Sequence, residues 1–301
     1  MAAVAAVAAV DAGRFFASLR MTERIAWNDL KLNVMKIRII KILPLAMVLA
    51  ALLPARALAQ GTDNDVETDF RGRLSASIDK KLSKGLHLGF DGEVRFTDDF
   101  SEVGRFQVGT GLSYKLLPGL KIGAGYILIG NRNSSGTYKA RHRAYFDLTE
   151  SIGSGNWRFS FRERLQYTKR SDVNKYQTNP NALALKTRFK VQYKGFKTVT
   201  PYAYAELRID LNDPACKASW DGTQYTAYEF KGYSDTYLDR VRGALGAEWK
   251  LSKKHSLDFT LMLDYNYSKN VDTNKGGTKL KSLTYDRTFA PTIAVGYKFA
   301  F

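Results

Sequence analysis

Arginine and lysine recur at every second position through much of the chain. They stand at Arg141 and Arg143, at Arg158, Arg162 and Arg164, at Lys186, Arg188 and Lys190, at Arg208, and at Arg240 and Arg242. Carboxylates take comparable positions at Asp91, Glu93, Asp147, Glu206, Glu248, Asp258 and Asp264. A guanidinium presents a planar fork of donors that matches a carboxylate or a phosphate. Charges two residues apart on an extended chain share one face. Cations and acids set this way can neutralise one another in a lattice, or they can leave a positive field that draws anions. The candidate anion contacts are Arg141, Arg143, Arg158, Arg162, Arg164, Lys186, Arg188, Arg208, Arg240 and Arg242. Glu93, Asp147, Glu206 and Glu248 are the candidate partners.

Other chemistry has little material. One cysteine, Cys216, excludes a disulfide framework and any thiolate cluster. Three histidines, His87, His142 and His255, leave little for a histidine-built metal centre, so no metal and no cofactor are expected. His87 is placed to pair with Asp91 and Glu93 on its own strand. His142 falls on an apolar face, where an enzyme working on lipid would want a base. The chain nevertheless has no Gly-x-Ser-x-Gly turn to supply a nucleophile.

The elements that position these charges show a period of two. Phe70 to Ile78, Leu86 to Phe96, Phe106 to Leu116, Leu120 to Leu128 and Ala144 to Leu148 alternate apolar with polar residues. So do Trp157 to Tyr167, Leu185 to Tyr193, Val199 to Ile209, Val241 to Leu251, Leu257 to Tyr267 and Phe289 to Phe301. Segments of ten or more residues suit a tilted transmembrane strand, whereas soluble strands run to about 5–6 residues. Connections alternate between short, as at Leu117–Gly119, and long, as at Asp210–Thr236. Tyr114, Tyr126, Trp157, Tyr167, Tyr193, Trp249, Tyr265 and Tyr267 cluster near segment ends, where amphipathic rings suit the headgroup level. The expected fold is all-β: a transmembrane, antiparallel, up-and-down barrel of about 10–12 strands, with short periplasmic turns and longer external loops. Eleven segments conflict with the even strand number of bacterial barrels. Glu163 has lipid-side parity between Phe161 and Leu165, and a bulge turning it toward Arg162 and Arg164 is the expected remedy.

Composition agrees with an exported, membrane-inserted chain. Lys and Arg number 46 against 29 Asp and Glu in 301 residues. From Met35, three basic residues precede the apolar run Ile42 to Leu53, and Ala57-Leu58-Ala59 then gives a small-x-small cleavage pattern. Twelve residues of helix reach about 18 Å, short of the ~30 Å hydrocarbon core. Residues 35–59 therefore read as a cleaved signal, and residues 1–34 as a non-native upstream extension. Residues 60–301 are left as the barrel domain, with 38 basic and 26 acidic residues.

Tyr297, Phe299 and Phe301 resemble the C-terminal signature of outer-membrane barrels, which implies recognition by the barrel assembly machinery. Further stretches carry a wider resemblance: Gly104-Arg105-Phe106, Leu112-Ser113-Tyr114-Lys115, Gly123-Ala124-Gly125-Tyr126, Arg141-His142-Arg143, Arg162-Glu163-Arg164-Leu165-Gln166-Tyr167 and Pro201-Tyr202-Ala203-Tyr204-Ala205-Glu206-Leu207. Through about residues 69–301 the chain is similar to an uncharacterised outer-membrane barrel family of Gram-negative bacteria, classed as a domain of unknown function. The resemblance implies an outer-membrane barrel and supplies no activity. The residues themselves leave three readings: a narrow anion-favouring channel, a structural or binding barrel filled by its own salt bridges, and an enzyme acting on outer-membrane lipid. Expected partners are outer-membrane lipid, a small anionic solute, and lipopolysaccharide beside Lys139, Lys169, Arg170, Lys175, Lys217 and Lys231. Export argues against nucleic acid.

Overall fold

The computed structural model describes residues 66–133 and 135–301. The signal read over 35–59 and the extension read over 1–34 lie outside the described residues. Every regular element among those described is a strand. The order begins with β1 (Glu67–Thr68), β2 (Arg71–Ser83), β3 (Leu86–Thr97), β4 (Glu102–Leu117) and β5 (Leu120–Arg132). It continues with β6 (Tyr138–Ser154), β7 (Trp157–Arg170), β8 (Asn181–Tyr193) and β9 (Val199–Asp213). A hairpin of β10 (Cys216–Trp220) and β11 (Tyr225–Phe230) follows, and β12 (Asp235–Lys250), β13 (His255–Thr273) and β14 (Leu280–Ala300) complete the chain.

The main sheet runs β2 to β9 and then β12, β13 and β14, each antiparallel to the last, and β14 returns to β2. The wall is a closed barrel of eleven strands. A meander reverses direction at each turn, so an odd count leaves its first and last strands pointing the same way. The seam is accordingly parallel, with Thr292–Ala300 of β14 against Arg71–Asp79 of β2, and β1 continues that line along β14. The count of eleven segments stands, and the even-number expectation yields to this parallel closure. Closure matters physically because a bare strand edge cannot be left in hydrocarbon.

The two ends differ. At one end, two-residue turns join β2 to β3, β4 to β5 and β6 to β7. Gly85 and Gly119 supply the positive φ of 86° and 87° that such turns need. The opposite end carries the longer loops and the β10–β11 hairpin. Asp221 closes that hairpin by accepting the Thr223 and Gln224 amides, each at 2.8 Å, which holds its carboxyl below the usual range. The β3–β4 loop holds Asp98, Asp99 and Phe100 at φ of 54°, 51° and 68°, a left-handed run costly for side chains with a Cβ. Asp69 repays part of that strain by accepting the Asp98 amide at 2.9 Å, and Asp99 accepts the Phe70 amide at 2.9 Å.

The core is inverted relative to a water-soluble protein. Leu245 is 66% exposed, Leu261 61% and Val108 59%, while Glu206 and Asp264 are each 1% exposed and Arg242 is 4% exposed. Apolar side chains cover the outside and charged ones fill the inside. On β7, Trp157 and Tyr167 both face outward, ten residues apart. At ~3.3 Å per residue and ~40° tilt they lie about 25 Å apart along the barrel axis, the height of the apolar band of an outer-membrane barrel.

Candidate functional site

Strand register decides which charges meet. One inward row crosses five strands as Arg162, Arg188, Glu206, Arg242 and Asp264, each facing the next on the neighbouring strand. Directly opposed side chains lie close enough to interact. Glu206 accepts from Arg188 at 2.5 and 2.7 Å, from Arg240 at 2.9 Å and from Arg162 at 3.3 Å, with Arg242 at 3.7 Å. Asp264 takes both arms of Arg242, at 2.5 and 2.6 Å, and reaches Arg73 of β2 at 3.5 Å. Two buried carboxylates thus bind together five arginines from four strands. A buried charge is costly unless paired in this way.

The adjacent row on the long-loop side is different. It reads Asp147, Arg164, Lys186, Arg208, Arg240 and Asn266. Four cations in succession are an unfavourable neighbourhood. Arg164 is neutralised by a two-armed bond to Asp147 at 2.6 and 2.7 Å. Arg208 reaches Asp210 at 2.9 Å and Asp239 at 2.8 Å, the latter brought in by a register shift between Leu238 and Arg240. Lys186 has no carboxylate within ion-pair distance among the described residues. Arg143 bonds to the Thr168 hydroxyl at 3.1 Å, and Arg105 to the Asn131 carbonyl at 2.8 and 3.1 Å, so both rest on neutral partners.

Cavities flank the lattice. The chamber on the long-loop side, about 400 Å³, is lined by seven arginines against two carboxylates, Glu102 and Asp264. Glu102 is already joined to Arg132, and Asp264 to Arg242. The chamber on the short-turn side, about 320 Å³, balances Asp79, Asp91 and Asp147 against Lys121, Arg162, Arg164 and Lys298. Rings back several cations: Arg164 lies 4.0 Å from the Tyr145 ring centre, Arg188 4.3 Å from Tyr204 and Lys190 3.5 Å from Tyr202. Eleven strands at ~4.8 Å spacing and ~40° tilt give a backbone radius of roughly 11 Å, so arginines from opposite walls span most of the bore.

All ten cationic candidates have inward parity, but they do not form one group. Arg162, Arg188, Arg240 and Arg242 converge on Glu206, whereas Arg158 lies exposed near the short-turn mouth. Arg141 meets Asp172 of the β7–β8 loop at 3.5 Å. Among the candidate carboxylates, Glu93 pairs with Arg95 and Asp147 with Arg164, while Glu248 stands outside the lattice. Asp264, an inward acid outside those four candidates, pairs with Arg242. Arg73, Arg95 and Arg105 were not among the candidates, although they share the inward parity of their strands. Ile127 and Ile129 also point inward and are buried, against the reading of β5 as apolar on its outer face alone.

Three expectations need correction. Glu163 is not rotated inward: β7 keeps unbroken register with β6 and β8, so the carboxylate stays on the outer face. There it accepts the Thr187 hydroxyl at 2.8 and 3.0 Å. His87 pairs across the sheet with Asp79 at 2.8 Å rather than along its own strand with Asp91 and Glu93. Arg170 has lumen parity and is not a loop cation. On the outer wall, His142 Nδ1 meets the Tyr126 hydroxyl at 2.5 Å, and His255 meets Tyr297 at 2.5 Å. Phe299 stacks on Phe301 at 5.1 Å beside the seam.

The profile of a family described as protein of unknown function (DUF2490) matches residues 73–275, which include both charged rows and most of the lining of both chambers. The chain belongs to this family. It is a transmembrane β-barrel, closed by eleven strands with apolar side chains outside and charged ones inside. No curated protein sequence matches it. Among solved structures, the NanC porin is 14% identical, with 77% of this chain and 98% of that one covered and a TM-score of 0.40. The outer-membrane-expressed OmpT of Vibrio cholerae is 12% identical, covering 66% and 60%, with a TM-score of 0.32. An anion-selective porin from Comamonas acidovorans is 14% identical, covering 74% and 57%, with a TM-score of 0.31. The chain spans less than two thirds of the length of these last two. What its lumen does follows from its own residues.

Proposed function

We propose that this protein is a narrow channel that favours anions. The carrying observation is the inward row Arg164, Lys186, Arg208 and Arg240, whose Arg208 and Arg240 line a chamber with seven arginines on its wall. Fixed cations in a bore with low-dielectric walls raise the local concentration of anions and exclude cations. The paired row around Glu206 narrows the passage and holds opposite walls in place. Removal of the signal at 35–59, delivery to the assembly machinery through Tyr297, Phe299 and Phe301, and lipopolysaccharide against the exposed Lys217 and Lys231 complete the reading.

Planar bilayers with a potassium chloride gradient supply the test. The reversal potential should lie toward chloride, and the preference should weaken at 1 M salt, where the screening length falls to ~3 Å. A cation-selective pore rejects the reading. A sealed barrel rejects conduction and supports the filled, structural alternative. An enzyme acting on lipid is supported less well, because the hydrogen bond of His142 goes to a tyrosine hydroxyl rather than a serine.

A further inference from the structure

Three cations of the lumen lack the carboxylate that their neighbours have. Lys186 stands between Arg164 and Arg208 in the wall, with Arg143 and Arg240 close by. Arg143 has Arg208 and Arg95 as charged neighbours, and Arg105 has Arg95, Arg143 and Arg208. All three are half-buried, so each keeps a face toward the bore. Their hydrogen bonds run to Thr168 and Asn131, which carry no charge. Acids do occur nearby, but each is committed. Glu206, the acid nearest in influence to Lys186, is bound to Arg162, Arg188 and Arg240; Glu93 is bound to Arg95, Asp147 to Arg164, Asp210 and Asp239 to Arg208, and Asp264 to Arg242. Arg105 lines the long-loop chamber, whose floor is made by Arg208, Arg240 and Asp264.

We infer that the long-loop chamber and its floor form a binding site for a polyvalent oxyanion. The proposal rests on the anion-favouring reading and adds a saturable site with a ligand class. Crowded cations without acids repel one another and lack countercharge. The lattice below shows that the fold can supply carboxylates where a permanent partner is wanted. Here it leaves two forks and an ammonium without countercharge instead: Arg105 on the wall of a cavity large enough for a small solute, and Lys186 and Arg143 beside Arg208, which also lines that cavity. A guanidinium bonds a planar carboxylate or a phosphate through two parallel donors, and an ammonium acts as a point charge. Several such groups around one chamber favour a ligand with two or more negative charges over chloride or acetate. A phosphoryl compound and a small polycarboxylate share this chemistry.

The test uses the full exported protein, purified in detergent and inserted into planar bilayers. The probes are inorganic pyrophosphate and tricarballylate, with acetate at matched ionic strength as control. Either polyvalent anion should halve the chloride current at a concentration at least about tenfold below acetate. It should also raise the thermal unfolding midpoint, because a ligand that binds the folded state stabilises it. The double variant Arg105→Gln/Lys186→Gln should raise the half-blocking concentration at least about tenfold and lose the midpoint shift. Lys84→Gln, in the exposed β2–β3 turn, should behave as the parent. Response to pyrophosphate alone identifies a phosphoryl ligand, and response to tricarballylate alone a polycarboxylate; both support the site. A barrel without conductance that still shows the midpoint shift, and its loss in the double variant, removes the channel and keeps the site. Equal effects of acetate and the polyvalent anions overturn the proposal, as does an undiminished response in the folded double variant.

Discussion

Two neighbouring rows of the same lumen use the same residue types to opposite ends. In the row of Arg162, Arg188, Glu206, Arg242 and Asp264, two carboxylates are shared among five arginines when Arg73 and Arg240 are included. In the next row, Arg164, Lys186, Arg208 and Arg240 are adjacent, and Lys186 has no acid. The first row is a cross-brace, since each bond ties one strand to another and its acids are almost wholly buried. The second is a field, because its cations exceed its acids and its Arg208 and Arg240 line a chamber. An arginine-rich lumen is therefore not one feature. Its effect depends on whether a carboxylate stands opposite each cation.

The comparison can be broken by removing charges one at a time. Glu206→Gln should have the largest effect, because it leaves four guanidiniums without their shared acid. A loss of about 3–5 kcal/mol is expected, read as a lower urea midpoint in detergent. Asp264→Asn should cost less, about 2–3 kcal/mol, because it frees one two-armed arginine and the longer contact from Arg73. Lys186→Met should go the other way, leaving stability unchanged or raising it by roughly 1 kcal/mol while the anion preference in bilayers falls. If Lys186→Met destabilises as much as Glu206→Gln, the two rows are not different in kind. The smallest effect belongs to the outer wall. Glu163→Leu removes an outward carboxylate held only by the Thr187 hydroxyl, so a change within about 1 kcal/mol toward greater stability is expected, with conductance unaltered.

Much of the wall was legible from alternation alone. Each of the eleven segments became a wall strand, because period-two patterning is local and survives without knowledge of partners. The inward set was legible for the same reason, and Arg73, Arg95 and Arg105 could have joined it on parity. The pairings were not legible. Arg162 and Glu206 are 44 residues apart, and Arg73 and Asp264 are 191 apart. Parity points His87 toward acids on its own strand, whereas its partner Asp79 lies across a turn on the preceding strand. Glu163 was expected to turn inward because a lipid-facing carboxylate is unfavourable, yet the register holds it outward and Thr187 meets it. The parallel seam is written in no local pattern, because it follows only when an odd-numbered meander closes on itself.

The sequence by itself determined that this chain closes into a wall with hydrocarbon outside and arginine inside, since alternation is written into neighbouring residues. Tertiary structure decided which arginines are neutralised and which stay available. That choice depends on register between strands, and register is settled only when the sheet closes and sets positions from distant segments side by side.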